Sequence, residues 1–266
     1  AGPLQGGAGG TIGTLGTGAV VDNATLTFSR SDAITVANAI SGTGAVTKLG
    51  AGTMTLTGAN SYSGTTTISA GTLQVGAGGT VGALGTGSKV IASGAVLAVN
   101  RSDAITIGGV ISGAGALNQL GAGTTTLTGA NTYSGTTTIG AGTLEIGYGG
   151  TTGALGTGAT VNNATLTFNR SSFTVASAIG GTGAVNQIDT GTTTLTGANS
   201  YSGTTTISAG TLQIGAGGTA GTLGTGAVVD NATLTFSRSD ALTVANDISG
   251  TGAVTLNGTT TVNTAA

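Results

Sequence analysis

The sequence contains no cysteine, no histidine and no tryptophan, and it has a single proline, Pro3. The lack of cysteine excludes disulfides and thiolate metal sites. One proline in 266 residues excludes collagen-like and polyproline structure, because both need far more. Aromatic residues make up only 3% of the chain, so a compact domain would lack its usual core material.

Charged residues are almost as scarce, at 5% of the chain with a net charge of −2. No basic stripe is available to neutralise phosphates, which argues against nucleic acid as a partner. No apolar run approaches the roughly 18–20 residues that a membrane-spanning helix needs. The eight carboxylates are thinly spread, and none has a visible partner for acid–base work. We therefore expect no enzyme activity, no cofactor and no metal.

Glycine and threonine are abundant instead, and they recur in a fixed order. The block L-G-T-G begins at Leu15, Leu84, Leu155 and Leu223, in steps of 69, 71 and 68 residues. The block Y-S-G-T-T-T-I begins at Tyr62, Tyr133 and Tyr201. Such a period indicates a repeat architecture, here almost four copies of about 70 residues. We expect residues 1–266 to form one domain, as a segment of a longer protein.

Within a repeat, apolar residues alternate with threonine at period two, as in Thr25–Phe28 and Thr53–Thr57. No segment shows helical periodicity, so the chain is predicted to be all-β. Strands of four or five residues between glycine-rich turns favour a parallel β-helix, or β-solenoid, with about three coils per repeat. The third coil is enlarged by residues 76–87. The whole chain would form on the order of eleven coils and a rod roughly 50 Å long.

The same pattern predicts which side chains point inward. We expect equivalent residues of successive repeats to stack in columns, at about 25 cal/mol per Å² of apolar surface removed from water. The predicted columns are Leu26, Leu97, Leu166 and Leu234; Phe28, Val99, Phe168 and Phe236; Ile68, Ile139 and Ile207; and Leu73, Leu144 and Leu212.

The run from Gly50 to Val75, G-A-G-T-M-T-L-T-G-A-N-S-Y-S-G-T-T-T-I-S-A-G-T-L-Q-V, resembles the passenger-associated repeat of bacterial autotransporters. It recurs as Gly121–Ile146 and, with Asp189 at its first position, as Asp189–Ile214. The resemblance implies a right-handed parallel β-helix carried outside a Gram-negative cell. In that family a C-terminal β-barrel exports the passenger, and the resemblance implies that this sequence corresponds to passenger only.

Two kinds of ladder are candidate binding surfaces. Outward threonine rows resemble the surface of some ice-binding proteins, although strand preference explains threonine equally well. A ladder of tyrosines could stack on carbohydrate, although packing at a turn is the alternative role. The threonine rows are Thr53, Thr55 and Thr57; Thr124, Thr126 and Thr128; and Thr192, Thr194 and Thr196, and the tyrosines are Tyr62, Tyr133 and Tyr201.

An arginine marks each repeat, and in three of them an aspartate follows two positions later. Arg30 and Asp32 are predicted to face the same side and to form an ion pair at a turn. The pattern repeats at Arg101 with Asp103 and at Arg238 with Asp240, whereas Arg170 is followed by two serines. Because a catalytic centre rarely occurs in near-copies, we interpret these pairs as structural.

These observations predict an extracellular or cell-surface structural solenoid, a stalk, adhesin or fibre segment associated with a Gram-negative outer membrane. The alternative is an ice- or glycan-binding module that uses the threonine or tyrosine ladders. Residues 9–38 and 217–246 are nearly identical and 208 positions apart, so the array is expected to continue or to stack end to end. The expected partners are like chains or adjoining repeats, and glycans or proteins of host or neighbouring cells.

Overall fold

The computed structural model describes residues 2–258 and 261–262 and contains no helix among them. Its strands are short and all pair in parallel, stacked as a β-solenoid of about 13 turns. The predicted fold class is therefore confirmed. The strands are β1 Leu4–Gly6, β2 Val20–Val21, β3 Thr25–Phe28, β4 Ile34–Val36, β5 Ile40–Ser41, β6 Ala45–Lys48, β7 Thr53–Leu56, β8 Thr66–Ile68, β9 Thr72–Val75, β10 Lys89–Ile91, β11 Val96–Val99, β12 Ile105–Ile107, β13 Ile111–Gly113, β14 Ala116–Gln119, β15 Thr124–Leu127, β16 Thr137–Ile139, β17 Thr143–Gly150, β18 Thr160–Asn162, β19 Thr165–Arg170, β20 Phe173–Val175, β21 Ile179–Gly180, β22 Ala184–Gln187, β23 Thr192–Leu195, β24 Thr205–Ile207, β25 Thr211–Ile214, β26 Val228–Asp230, β27 Thr233–Arg238, β28 Thr243–Val244, β29 Ile248–Ser249, β30 Ala253–Gly258 and β31 Thr261–Val262.

Consecutive strands lie on three faces in strict rotation. β3, β6, β8, β10 and β13 pair in that order on face 1, and β4, β7, β9, β11 and β14 pair on face 2. Face 3 carries β5 and, further along, β12, β15 and β17. Each turn of the solenoid thus uses three strand positions, one on each face.

Some positions are filled by short segments that are not strands. Residues 61–63 sit on β5, since the Ser61 and Ser63 amides donate to Ile40 and Gly42. Residues 84–86 follow on the same face, where the Thr86 amide donates to Tyr62 at 2.9 Å. Where a sheet ends at such a segment, the backbone hydrogen bonds of the segment continue the stacking of coils on that face.

One repeat contains ten positions, namely β2 to β9 and the two short segments. Ten is not a multiple of three, so each repeat spans three and one third turns and the next repeat begins one face further round. This extra third of a turn explains why the chain forms about 13 turns and not the eleven expected.

The predicted columns are therefore wrong in their stacking. Leu26 pairs with Leu4 and Val46 on face 1, whereas Leu97 pairs with Leu73 and Leu117 on face 2. Equivalent residues of successive repeats lie on different faces. All the predicted inward residues are nonetheless buried, at 0 or 1% exposure. The core is a continuous column of aliphatic side chains, with a few phenylalanine and tyrosine rings, within the three faces.

The predicted enlarged coil is present in each repeat as a protruding glycine-rich loop. Residues 77–81 are exposed, and the chain leaves and re-enters the coil at Gly76 and Gly82, with φ of +80° and +103°. A side chain at Gly82 would meet the backbone of Leu56 and Gly76. Only glycine fits both the conformation and the space at this neck.

Candidate functional surfaces

The threonine rows face outward on their strands. In β7, Thr53 and Thr55 are half-buried and alternate with buried Met54 and Leu56. The row in β15 is less exposed to solvent, because Thr126 is only 5% exposed and its hydroxyl donates to Glu145 at 3.1 Å. The side-chain neighbours of Thr55 along its face are Thr35 and Gln74.

The one-face shift separates the three rows from one another. β7 lies on face 2, β15 on face 3 and β23 on face 1. No two of the three rows share a face, so they do not form one flat threonine array. Ice binding through these rows stays a hypothesis that this arrangement does not favour.

The prediction that the three tyrosines form a surface ladder is wrong. Tyr62, Tyr133 and Tyr201 are each 0% exposed, and each hydroxyl is hydrogen-bonded to the threonine four residues later, at 2.7–2.9 Å. Burial raises the pKa of all three phenols. Because the rings are enclosed, they cannot stack on a carbohydrate, and packing beneath a turn is the role that the structure shows.

The asparagine of each G-A-N turn links three successive coils. Asn131 accepts the Ile111 amide of the preceding coil at 2.8 Å and donates to the Ala154 carbonyl of the following coil at 2.8 Å. Asn60 and Asn199 make the equivalent bonds. The sequence predicted a turn there but not this connection.

The predicted arginine–aspartate pairs are confirmed, with distances of 2.7–2.8 Å. The hydrogen bond from Arg101 holds the pKa of Asp103 below its usual range. The Arg101 guanidinium also donates to the Gly82 carbonyl at the neck of the preceding glycine loop. Each pair therefore fastens a protruding loop, which is a structural role.

The third repeat departs from this arrangement. Arg170 forms no salt bridge within the described residues, and its guanidinium donates to the carbonyls of Gly153, Thr151 and Ser171. Its central carbon lies 4.5 Å from the centre of the Phe173 ring. Burial lowers the pKa of Arg170. The loop that it fastens carries Tyr148, which is 78% exposed.

Several polar groups lie inside the solenoid, and sequence analysis missed them. Lys89 is 1% exposed, its ammonium donates to the Gly108 carbonyl at 2.5 Å, and burial lowers its pKa to about 8. Asp230 is 2% exposed, and its Oδ2 has no hydrogen-bond partner among the described residues. Comparison of the repeats could have revealed Lys89, because the equivalent residues in the other repeats are Val20, Thr160 and Val228.

Two negative findings concern residues 2–258 and 261–262. Within these ranges no three acidic side chains lie together as a possible metal site. The same part of the chain offers no helix long and apolar enough to cross a membrane.

Comparison with known proteins identifies the repeat. The family model described as Passenger-associated-transport-repeat matches residues 46–75, 117–146 and 185–214. Each match runs from a strand such as β6 through the G-A-N turn, the buried tyrosine and a strand such as β9.

One curated relative is an adhesin autotransporter, BmaC, of Brucella suis biovar 1 (strain 1330). It is 48% identical over 64 residues, which cover 24% of this chain and 2% of the relative. The chain thus aligns with a very small part of that relative's length. No solved structure matches this chain. The chain is therefore a β-solenoid in which three segments match the passenger-associated repeat, and these segments wind around its three faces.

Proposed function

We propose that this solenoid is a structural spacer in the passenger of an autotransporter, a stalk, adhesin or fibre segment outside a Gram-negative cell. The repeat family and the adhesin relative support a passenger role. The carrying observation is that successive repeats continue the same three faces in the same register. Each copy thus adds a fixed length without a new fold, and a structural role explains the near-identity of the copies better than an enzymatic one.

A variant with one additional copy of residues 76–146 tests the spacer role. Three and one third turns at about 4.8 Å each should lengthen the molecule by about 16 Å. Small-angle X-ray scattering gives the maximum dimension of the variant and of the parent. An unchanged maximum dimension would show that copies do not add length along one axis.

We further propose that like chains, or adjoining repeats, associate along this axis. Residues 9–38 and 217–246 lie three repeats apart, and three repeats make ten whole turns. These two nearly identical stretches therefore have the same rotational phase, which favours continuation of the array. Sedimentation velocity should show association that rises with concentration. A strictly monomeric protein at high concentration would contradict end-to-end stacking.

Adhesion is the finer part of the proposal, with glycans or proteins on host or neighbouring cells as partners. A protein that acts as an adhesin should attach to cells when it is immobilised on beads. Beads coated with the purified solenoid should bind cells more than beads coated with the heat-unfolded chain. Equal binding by both would leave only the spacer role.

A further inference from the structure

Several residues that break the repeat lie close together on the surface where the second and third repeats adjoin. Glu145 replaces Gln74 and Gln213, and Asp189 replaces Gly50 and Gly121. Tyr148 stands where the other loops carry alanine. We define Glu145, Tyr148 and Asp189 as the third-repeat patch.

The patch is contiguous because neighbouring coils hold it together. Strand β17 extends into the loop as far as Gly150, which pairs with Arg170 of β19. The Ser171 amide donates to the Gly150 carbonyl at 2.8 Å. An atom placed at the Cβ position of Gly149 would lie 4.0 Å from Oδ2 of Asp189. Tyr148 is therefore presented on a fastened loop, and the residue after it, Gly149, faces a carboxylate two coils further on.

Exposure distinguishes these departures from others in the chain. Lys89 and Met54 also break the repeat, but both are 1% exposed and belong to the interior. Tyr148 is 78% exposed, whereas the other three tyrosines are fully buried. A ring of this size on the surface offers a flat apolar platform with a polar edge.

The surroundings of the ring match a saccharide better than a protein. Residues 149–152 are exposed glycines and threonines, and Ile188 beside Asp189 adds a single large apolar side chain, 41% exposed, which is too little to form the core of a protein interface. A sugar ring needs one stacking platform and a few polar groups that fix its orientation. The Asp189 carboxylate supplies an acceptor for hydroxyl or amino groups.

The charge of the patch selects among saccharides. Glu145 and Asp189 are both acidic, and the guanidinium of Arg170 is engaged by backbone carbonyls and covered by Phe173. Acidic sugars would meet like charge, whereas an amino group would be attracted. We propose that the third-repeat patch is a binding site for an amino-bearing saccharide, with Tyr148 as stacking platform and Asp189 as charged acceptor.

The experiment uses the full chain with its tyrosine rings labelled with 13C, which gives signals from only four residues. Oligomers of glucosamine, glucose and galacturonate are titrated separately. The Tyr148 signal should move with glucosamine oligomers at a Kd on the order of 1 mM, as for one stacking contact on an open surface. Glucose oligomers should bind at least threefold more weakly, and galacturonate oligomers should not bind.

Three variants assign the roles. Tyr148→Ala should abolish binding, and it introduces the residue of the equivalent positions 8, 77 and 216. Asp189→Asn keeps the acceptor for the Gly191 amide, which lies 2.8 Å from Oδ1, and should remove the preference for glucosamine over glucose. Ala77→Tyr in the Tyr148→Ala background places a ring on the equivalent loop of the preceding repeat, where glycine (Gly121) stands at the position of Asp189. This variant should not restore the preference for glucosamine over glucose.

Thermal melting of each variant confirms that it folds like the parent. The proposal is overturned if the Tyr148 signal does not respond to glucosamine oligomers, or if galacturonate binds as tightly. It is also overturned if Asp189→Asn leaves the preference unchanged or if Ala77→Tyr restores it. None of these results bears on the lengthening test, so the spacer role and the saccharide site can fail separately.

Discussion

At the scale of single residues, small differences between repeats decide how well buried polar groups are satisfied. Asn162 and Asp230 occupy equivalent positions and are both almost completely buried. The Asn162 side chain accepts the Ala164 amide and donates to the Ala184 carbonyl at 2.8 Å. Asp230 accepts the Ala232 amide at 3.0 Å, but its Oδ2 has no partner among the described residues.

Asp230→Asn should therefore stabilise the protein by about 1 kcal/mol, because the amide can donate where the carboxylate cannot. The reverse change, Asn162→Asp, should destabilise it by a similar or larger amount. Urea unfolding of both variants and the parent measures the two free energies. A loss of stability in Asp230→Asn would show that the two sites are not equivalent.

Lys89 makes a different prediction, about pH. Burial lowers its pKa from 10.5 to about 8, so between these values the unfolded chain holds a proton that the folded protein has released. The free energy of unfolding should then rise with pH from about 8 to 10, by about 2 kcal/mol. Burial lowers the pKa of Lys48 as well, which adds a change in the same direction.

Lys89→Val is the matched control, since valine occupies this position at Val20 and Val228. This variant should be more stable than the parent at pH 7, and the difference should shrink as the pH approaches 10. Melting temperatures at pH 7, 8, 9 and 10 test this convergence. A difference that does not change with pH would mean that Lys89 does not titrate in this range. Above pH 10, the raised pKa of the buried tyrosines should lower stability again.

At the scale of elements, the G-A-N turns connect neighbouring coils at places where one face has no paired strands. Residues 132–134 and 155–157 are not strands, and they join their face only through single backbone bonds such as the one from the Thr157 amide to the Tyr133 carbonyl. Asn131 spans this weak region by bonding to the coils before and after it. The third repeat has a second weak point at Ser177, whose hydroxyl has no hydrogen-bond partner among the described residues, whereas Asn38 and Asn246 at the same position each bond to two carbonyls.

Asn131→Ala should cost about 2 kcal/mol, because it leaves the buried Ile111 amide and the Ala154 carbonyl without their partners. Hydrogen exchange measured by NMR should show faster exchange at the Ile111 amide than in the parent. Asn163 provides a control on a neighbouring coil, because it is exposed and accepts only the exposed Thr182 amide, at 3.2 Å: Asn163→Ala should cost clearly less than Asn131→Ala. Equal effects of the two substitutions would contradict the bridging role.

Much of the element scale could be predicted from sequence. The period-two alternation of Thr25–Phe28 and Thr53–Leu56 correctly predicted strands and inward residues, because it depends only on which side of a strand is buried. The bridging role of Asn131 could not be predicted, since its partners lie 20 and 23 residues away. The burial of Tyr62 also depends on the coil above it, where Gly85 leaves room for the ring.

At the scale of the molecule, the number of strand positions per repeat decides the surface. Sequence spacing shows that a copy recurs about every 70 residues but does not show whether a copy closes a whole number of turns. Because ten positions wind around three faces, each feature appears on a new face in the next repeat. The glycine loops 76–82, 147–153 and 215–221 therefore project in three directions, and the rod has no single threonine face.

The distance between neighbouring loops tests this central claim most directly. Since the chain has no cysteine, Ala77→Cys with Tyr148→Cys allows two spin labels to be attached at defined positions on exposed loops. A step of about 16 Å along the axis and a lateral offset of about 20 Å between corners predict a separation of about 25 Å. Pulsed electron paramagnetic resonance measures this separation. A distance of about 14 Å, that of equivalent loops stacked three coils apart on one face, would contradict the rotation of the repeats.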